Sequence, residues 1–180
     1  MRMTVPDMFR DPYTFEGIIA KYNDSAETLS EIYMSRVSFI EPYSMVSFLL
    51  MGRNSLRKRG EKIKLVNIPI HIHQYLTRID FFKAGIFAVP ENLDKGLFLK
   101  RSNESRRLME ITEIPNKERQ GVNVIASVIS RFRKRASTIL KYWLDDTVTD
   151  YFVTVISELC QNIFEHSLDT GFVSIQTYRS

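Results

Sequence analysis

The chain has one cysteine, Cys160, among its 180 residues. A lone thiol cannot close an internal disulfide, so a reducing cytoplasm is the simplest compartment. Long hydrophobic runs are also missing: the stretch around residues 46–51 is broken by Ser, Gly or charge well short of the roughly 18 apolar residues a membrane span needs. Residues 1–10 carry Pro, Asp and Arg and lack the apolar centre and small-residue cleavage site of a secretory signal. Charge of one sign is scarce as well, since 25 basic residues face 21 acidic ones for a net charge of +4. A pI of about 9.2 leaves room for a polyanionic partner but is weak evidence for nucleic acid. There is no internal repeat and no low-complexity tract. What is present is apolar material, 44% of the residues, enough for one ample core or two small ones, and this argues against disorder as the main state.

Apolar spacing sets the expected elements. Phe15, Ile18, Ile19, Tyr22, Ala26, Leu29 and Ile32 recur at helical intervals with a polar Asn23-Asp24-Ser25 interruption, which predicts two short helices or one bent helix in an N-terminal helical segment, residues 1–34. Residues 36–40 read as a strand ending at Glu41-Pro42, where proline suits the first turn of a helix. That helix places Val46, Leu49, Leu50 and Leu56 inward and stops at Gly60. A strand over 63–68 follows. Ile72, Tyr75, Leu76, Ile79 and Phe82 then form a helical stripe that closes at Gly85, before a third strand over 86–89. The alternation predicts an α/β fold with helices packed on a sheet. Residues 92–107 read as a polar loop, 108–114 as a returning strand, and Pro115-Asn116 as the boundary between a module spanning 35–114 and a segment spanning 115–180.

A long amphipathic pattern from Val122 to Trp143 leads to Asp145-Asp146, and Thr147 with Asp150 resembles a capping box for the next helix. In that helix Phe152, Val155, Ile156, Leu159 and Ile163 make one apolar stripe, expected to face the core. Glu158, Asn162 and Glu165 fall in a narrow arc a quarter turn or more away, with His166 on its flank. A carboxylate can accept a proton from water or a hydroxyl, and an amide oxygen is a hard neutral ligand for Mg²⁺ on phosphates. Phosphoryl transfer needs both side by side.

The run Glu158-Leu-Cys-Gln-Asn162-Ile-Phe-Glu165-His166-Ser167 resembles the N box of the GHKL (Bergerat-fold) ATPase superfamily, and its Glu-His ending is closest to the anti-sigma-factor serine kinase branch. The resemblance covers about the last third of the chain. It implies that Glu158 is the catalytic base, that Asn162 holds the Mg²⁺ of bound nucleotide, and that Glu165 and His166 lie near the phosphates. It also matches residues 171–178 to the strand after the N box. The downstream glycine boxes, the adenine-binding aspartate and the ATP lid have no counterpart before Ser180, and Asp169-Thr170-Gly171 reads as a turn. Tight Mg-ATP binding and phosphoryl transfer are therefore expected only of a longer chain. Residues 35–114 are similar in element order to STAS domains, the α/β modules that accompany such kinases in bacterial partner-switching pathways. The place of a regulatory STAS serine, residues 67–74, holds Asn-Ile-Pro-Ile-His-Ile-His-Gln and no serine.

The resulting expectation is a cytoplasmic bacterial signalling protein that works through protein partners, with no membrane association. A non-enzymatic interaction module that forms a homodimer or docks a partner is the alternative. The weakest reading is a basic nucleic-acid binder using Arg57-Lys58-Arg59 and residues 131–135, because helical geometry spreads each run around its cylinder and solvated surface explains both. His71 and His73 could share a strand face and bind metal, but no third ligand lies at a sensible spacing and a structural role is the plainer reading. Cys160 lies away from Glu158 and reads as an inert core thiol.

Overall fold

The computed structural model describes residues 1–9, 12–25, 28–89, 105–116, 122–167 and 169–177. It is a mixed α/β structure with small parallel and antiparallel sheets, divided into two compact units, Met1–Ser102 and Asn103–Ser180. Ala26, most of the expected polar loop (92–104) and Tyr178 lie outside the described residues.

In the first unit, β1 (Arg2–Thr4), β3 (Glu31–Tyr33) and β5 (Lys64–Val66) pair in parallel in that order. Parallel neighbours need crossover connections, and α1 (Pro12–Ser25) and α2 (Pro42–Arg59) lie between them in sequence. The middle residues Met3, Ile32 and Leu65 form one buried row. Arg2, Glu31 and Lys64 form the adjacent row of opposite orientation, with Arg2 2.9 Å from Glu31. Alternation of this kind buries one face and leaves charge on the other. Ala88 adds a single bridge beside Lys64, accepting from Leu65 N–H at 2.8 Å and donating to the Ile63 carbonyl at 2.9 Å. The expected strand over 86–89 is thus reduced to one residue.

Two further expectations change. Residues 31–33 are strand, not the end of a helix: α1 stops at Ser25, within the polar interruption, and Ile32 and Met34 are buried on an alternating pattern. The strand expected at 36–40 shortens to β4 (Phe39–Ile40), which pairs with β2 (Met8–Phe9) and not with β5. Helix α2 begins with Pro42 at its first position and ends at Gly60, whose left-handed φ of 73° lets its N–H reach the Leu56 carbonyl at 2.8 Å. Phe48, Phe81 and Phe87 stack on one another with centroids 5.0–6.4 Å apart. Helix α3 (Ile70–Arg78) and a short 3₁₀ turn (Phe81–Ala84) complete the unit.

In the second unit β6 (Leu108–Ile114) pairs antiparallel with β7 (Gly171–Gln176), so residues 108–114, read from sequence as the close of the first module, form a sheet with the last strand. Helices α4 (Val122–Leu140) and α5 (Asp146–His166) pack on this hairpin-like pair. One cluster joins Met109, Phe132, Ala136, Ile139, Leu140 and Val153; a second joins Ile114, Ile125, Cys160 and Phe164. The amphipathic pattern ran on to Trp143, but α4 ends at Leu140 and 141–144 form the turn into α5.

Candidate functional site

Helix α5 starts two residues earlier than a Thr147–Asp150 box implies. Its N-cap is Asp145, whose carboxylate accepts the Val148 N–H at 2.8 Å. A full negative charge at the positive end of the helix is a stronger acceptor than a threonine hydroxyl. At the other end the Asn116 amide, buried where β6 finishes, donates to the Ser167 carbonyl at 3.2 Å. Gly171 then lets β7 approach α5 closely: a Cβ there would lie 2.8 Å from Ile163 Cγ2.

The buried face of α5 is Thr149, Val153, Ser157, Cys160 and Phe164. Phe152, Val155 and Leu159, expected in the core, are exposed, while Ile156 and Ile163 are partly buried. The helix is therefore rotated by roughly a quarter turn from the expected stripe, at about 100° per residue. Small polar residues make the observed face possible. The Ser157 hydroxyl donates to the Val153 carbonyl at 2.6 Å, so its burial leaves no unmet donor.

The rotation carries Glu158, Asn162 and Glu165 to the side of α5 opposite the core, and all three are exposed, as is His166. Among the described residues Glu158 and Asn162 have no hydrogen-bond or ion-pair partner, so both side chains are available to an incoming ligand. Glu165 is engaged: Gln161 Nε2 donates to its Oε1 at 2.5 Å, and His166 Nε2 lies 3.7 Å from its Oε2. The four residues share one helix end, with Glu158 and Asn162 one turn apart on open surface. The Gln161–Glu165 bond was not anticipated, although its four-residue spacing was a legible signal.

The remaining candidates separate. His71 and His73 lie on α3 and not on a strand, so two residues apart they diverge around the helix. His71 is exposed; His73 is buried, stacks on Phe82 at 5.1 Å, and has its pKa lowered by that burial. Among the described residues no group of three or more His, Cys, Asp or Glu gathers as a metal site. Burial pushes the Cys160 thiol up to about 11, which suppresses thiolate chemistry. Asn67, at the start of the segment without a serine, ends β5 with a left-handed φ of 55°. The basic run at 131–135 is split. Arg131 and Lys134 are exposed and Arg133 donates to Thr154 at 3.2 Å, but Arg135 donates inward to the Ser105 carbonyl and to the Leu108 carbonyl at 2.9 Å. Arg135 therefore ties α4 to the start of β6 and is lost to any polyanion. No helix among the described residues is long and apolar enough to cross a membrane.

Comparison with known proteins adds no family: no family model, curated protein or solved structure matches this chain significantly.

Proposed function

We propose that this chain is a bacterial regulatory protein in which a STAS-like α/β module precedes the opening part of a GHKL-type ATPase domain. The observation that carries the reading is the unengaged, exposed pair Glu158 and Asn162, one turn apart on a single helix, with the Gly171-led strand next in the chain. Within residues 35–114 the order α2, β5, α3 supports the STAS-like part at the level of element order.

The donor set fits part of a Mg-nucleotide site. Asn162 would hold Mg²⁺ through its amide oxygen, Glu158 would accept the proton of a hydroxyl nucleophile, and Glu165 with His166 would stand near the phosphates. Bound Mg-ATP would supply the transferable phosphoryl group. On this chain those residues lie on open surface, so its own affinity is weak, and the partners are proteins of a cytoplasmic pathway. Titration of the ¹⁵N-labelled chain with millimolar Mg-ATP tests the reading. Amide shifts concentrated at 158–166 and abolished by Asn162→Ala, with the fold intact, are the expected result. Shifts that ignore Asn162→Ala, or none at all, refute it.

A second reading, a non-enzymatic interaction module, is favoured by the exposed apolar residues of α5. A nucleic-acid role is weakened by the inward engagement of Arg135.

A further inference from the structure

Phe152, Val155 and Leu159 leave the core of their own unit, yet their spacing is not that of scattered surface residues. Val148, Phe152, Val155, Leu159, Asn162 and His166 follow one another at alternating steps of four and three, the spacing of a coiled-coil seam. All six are exposed, with Val155 at 58% and Leu159 at 51%. Tyr151 borders the seam at 71% exposure. The apolar surface from Val148 to Leu159 amounts to roughly 450 Å², and the exposed turn Tyr142, Trp143 and Leu144 just before the helix adds about 300 Å². The helix face alone supplies about half of the ~800 Å² that each partner of a standard interface contributes.

We propose that α5 pairs in parallel and in register with α5 of a second copy of this chain. Parallel pairing sets Val148, Phe152, Val155 and Leu159 each against its own copy and brings the two Asn162 carboxamides together, where they can hydrogen-bond across the seam. Such an amide pair fixes register at a cost in stability. One antiparallel register sets Phe152 against Asn162 and Val148 against His166, burying polar groups against apolar ones; the next sets Val148 against Leu159 and Phe152 against Val155 but leaves Asn162 without its twin. The first of these also brings the two Glu158 carboxylates face to face. In parallel pairing Glu158 lies opposite Ile163, and no acid meets an acid. The seam needs no nucleotide, so the pairing stands or falls apart from the ATPase reading.

Sedimentation of the chain over a concentration series tests the pairing. A reversible dimer is expected, whose dissociation constant rises about thirtyfold or more in Val155→Glu, the scale of an interface hot spot. Leu159→Lys repeats the test should Val155→Glu fail to fold, and Lys134→Glu on α4 leaves the constant unchanged. Orientation is read by oxidising Asn162→Cys in a Cys160→Ser background. Parallel pairing gives a disulfide-linked dimer, because bridged Cα atoms must lie within about 7 Å. A chain that stays monomeric at all concentrations overturns the proposal, as does a dimer indifferent to both seam variants. A disulfide that forms only when Phe152→Cys chains are mixed with Asn162→Cys or with Val155→Cys chains overturns the parallel arrangement.

Discussion

Gly171 is the joint between the candidate helix and the strand after it, and replacing it with alanine should loosen that joint by a calculable amount. The added methyl meets Ile163 Cγ2 at 2.8 Å and Cδ1 at 3.2 Å, with Ile114 Cδ1 at 3.7 Å. The first contact is closer than real Cβ atoms make, and Ile163 sits on a helix pinned by Asp145 at one end and Asn116 at the other. Overpacking of this kind costs about 1–3 kcal/mol. Alanine returns part of it, about 0.5–1 kcal/mol, because glycine loses more chain freedom on entering a strand. The net is a destabilisation of ~1–2 kcal/mol, or roughly 5–15 °C in Tm for a unit of this size. Trp143 is the chain's one tryptophan and lies in the second unit, so its fluorescence during urea unfolding follows that unit separately. In an Ile163→Ala background the methyl finds space, and the cost of Gly171→Ala should fall below about 0.5 kcal/mol. Equal costs in the two backgrounds, or a Gly171→Ala protein more stable than the parent, would refute the steric account.

Two other outcomes follow from local chemistry. Asp145→Ala removes the acceptor of the Val148 N–H and should lower the stability of the second unit by ~1 kcal/mol by the same fluorescence assay, with Asp145→Asn recovering much of it. His73, whose pKa burial lowers, binds protons more readily in the unfolded chain than in the folded one. Its contribution is therefore present above the ordinary histidine pKa of about 6.5 and lost as pH falls toward its folded value. Urea unfolding of the first unit between pH 7 and pH 5 should show that loss, and His73→Gln should flatten it; an unchanged slope would remove His73 as the cause.

What the sequence made legible was punctuation; what it hid was orientation. Pro42 and Gly60 bracket α2 because each restricts the backbone at its own position, independent of the rest of the fold. Of the expected Asp169-Thr170-Gly171 turn, Asp169 is a bend whose Oδ1 accepts the Thr170 N–H at 2.8 Å, and Gly171 already opens β7. Strand β3 was concealed because Leu29 and Ile32, three residues apart, continue the helical period, and only pairing with β1 and β5 decides against it. The rotation of α5 was concealed for a related reason. Its apolar residues cover two flanks, and the more hydrophobic flank is not the buried one. Thr149 and Ser157, which read as polar, sit in the core. Arg135 was unreadable as a tie because its acceptors are backbone carbonyls 27 and 30 residues away.

That rotation links the two proposals through one side chain. Asn162 stands at the edge of the exposed acidic arc and also on the apolar seam. A carboxamide oxygen that accepts a hydrogen bond from its twin across a paired seam is not free to coordinate Mg²⁺ on a nucleotide, and burial between two helices keeps a triphosphate away from Glu158 as well. If both proposals hold, the paired and nucleotide-bound forms exclude each other. Ligand that binds only the unpaired chain shifts the balance by RT ln(1 + [L]/Kd) for each copy, so tenfold saturation on both copies weakens pairing by roughly a hundredfold. A helix with an apolar and a functional side meeting at one asparagine can thus serve as a switch between partner and ligand, with no conformational change beyond the separation of two chains.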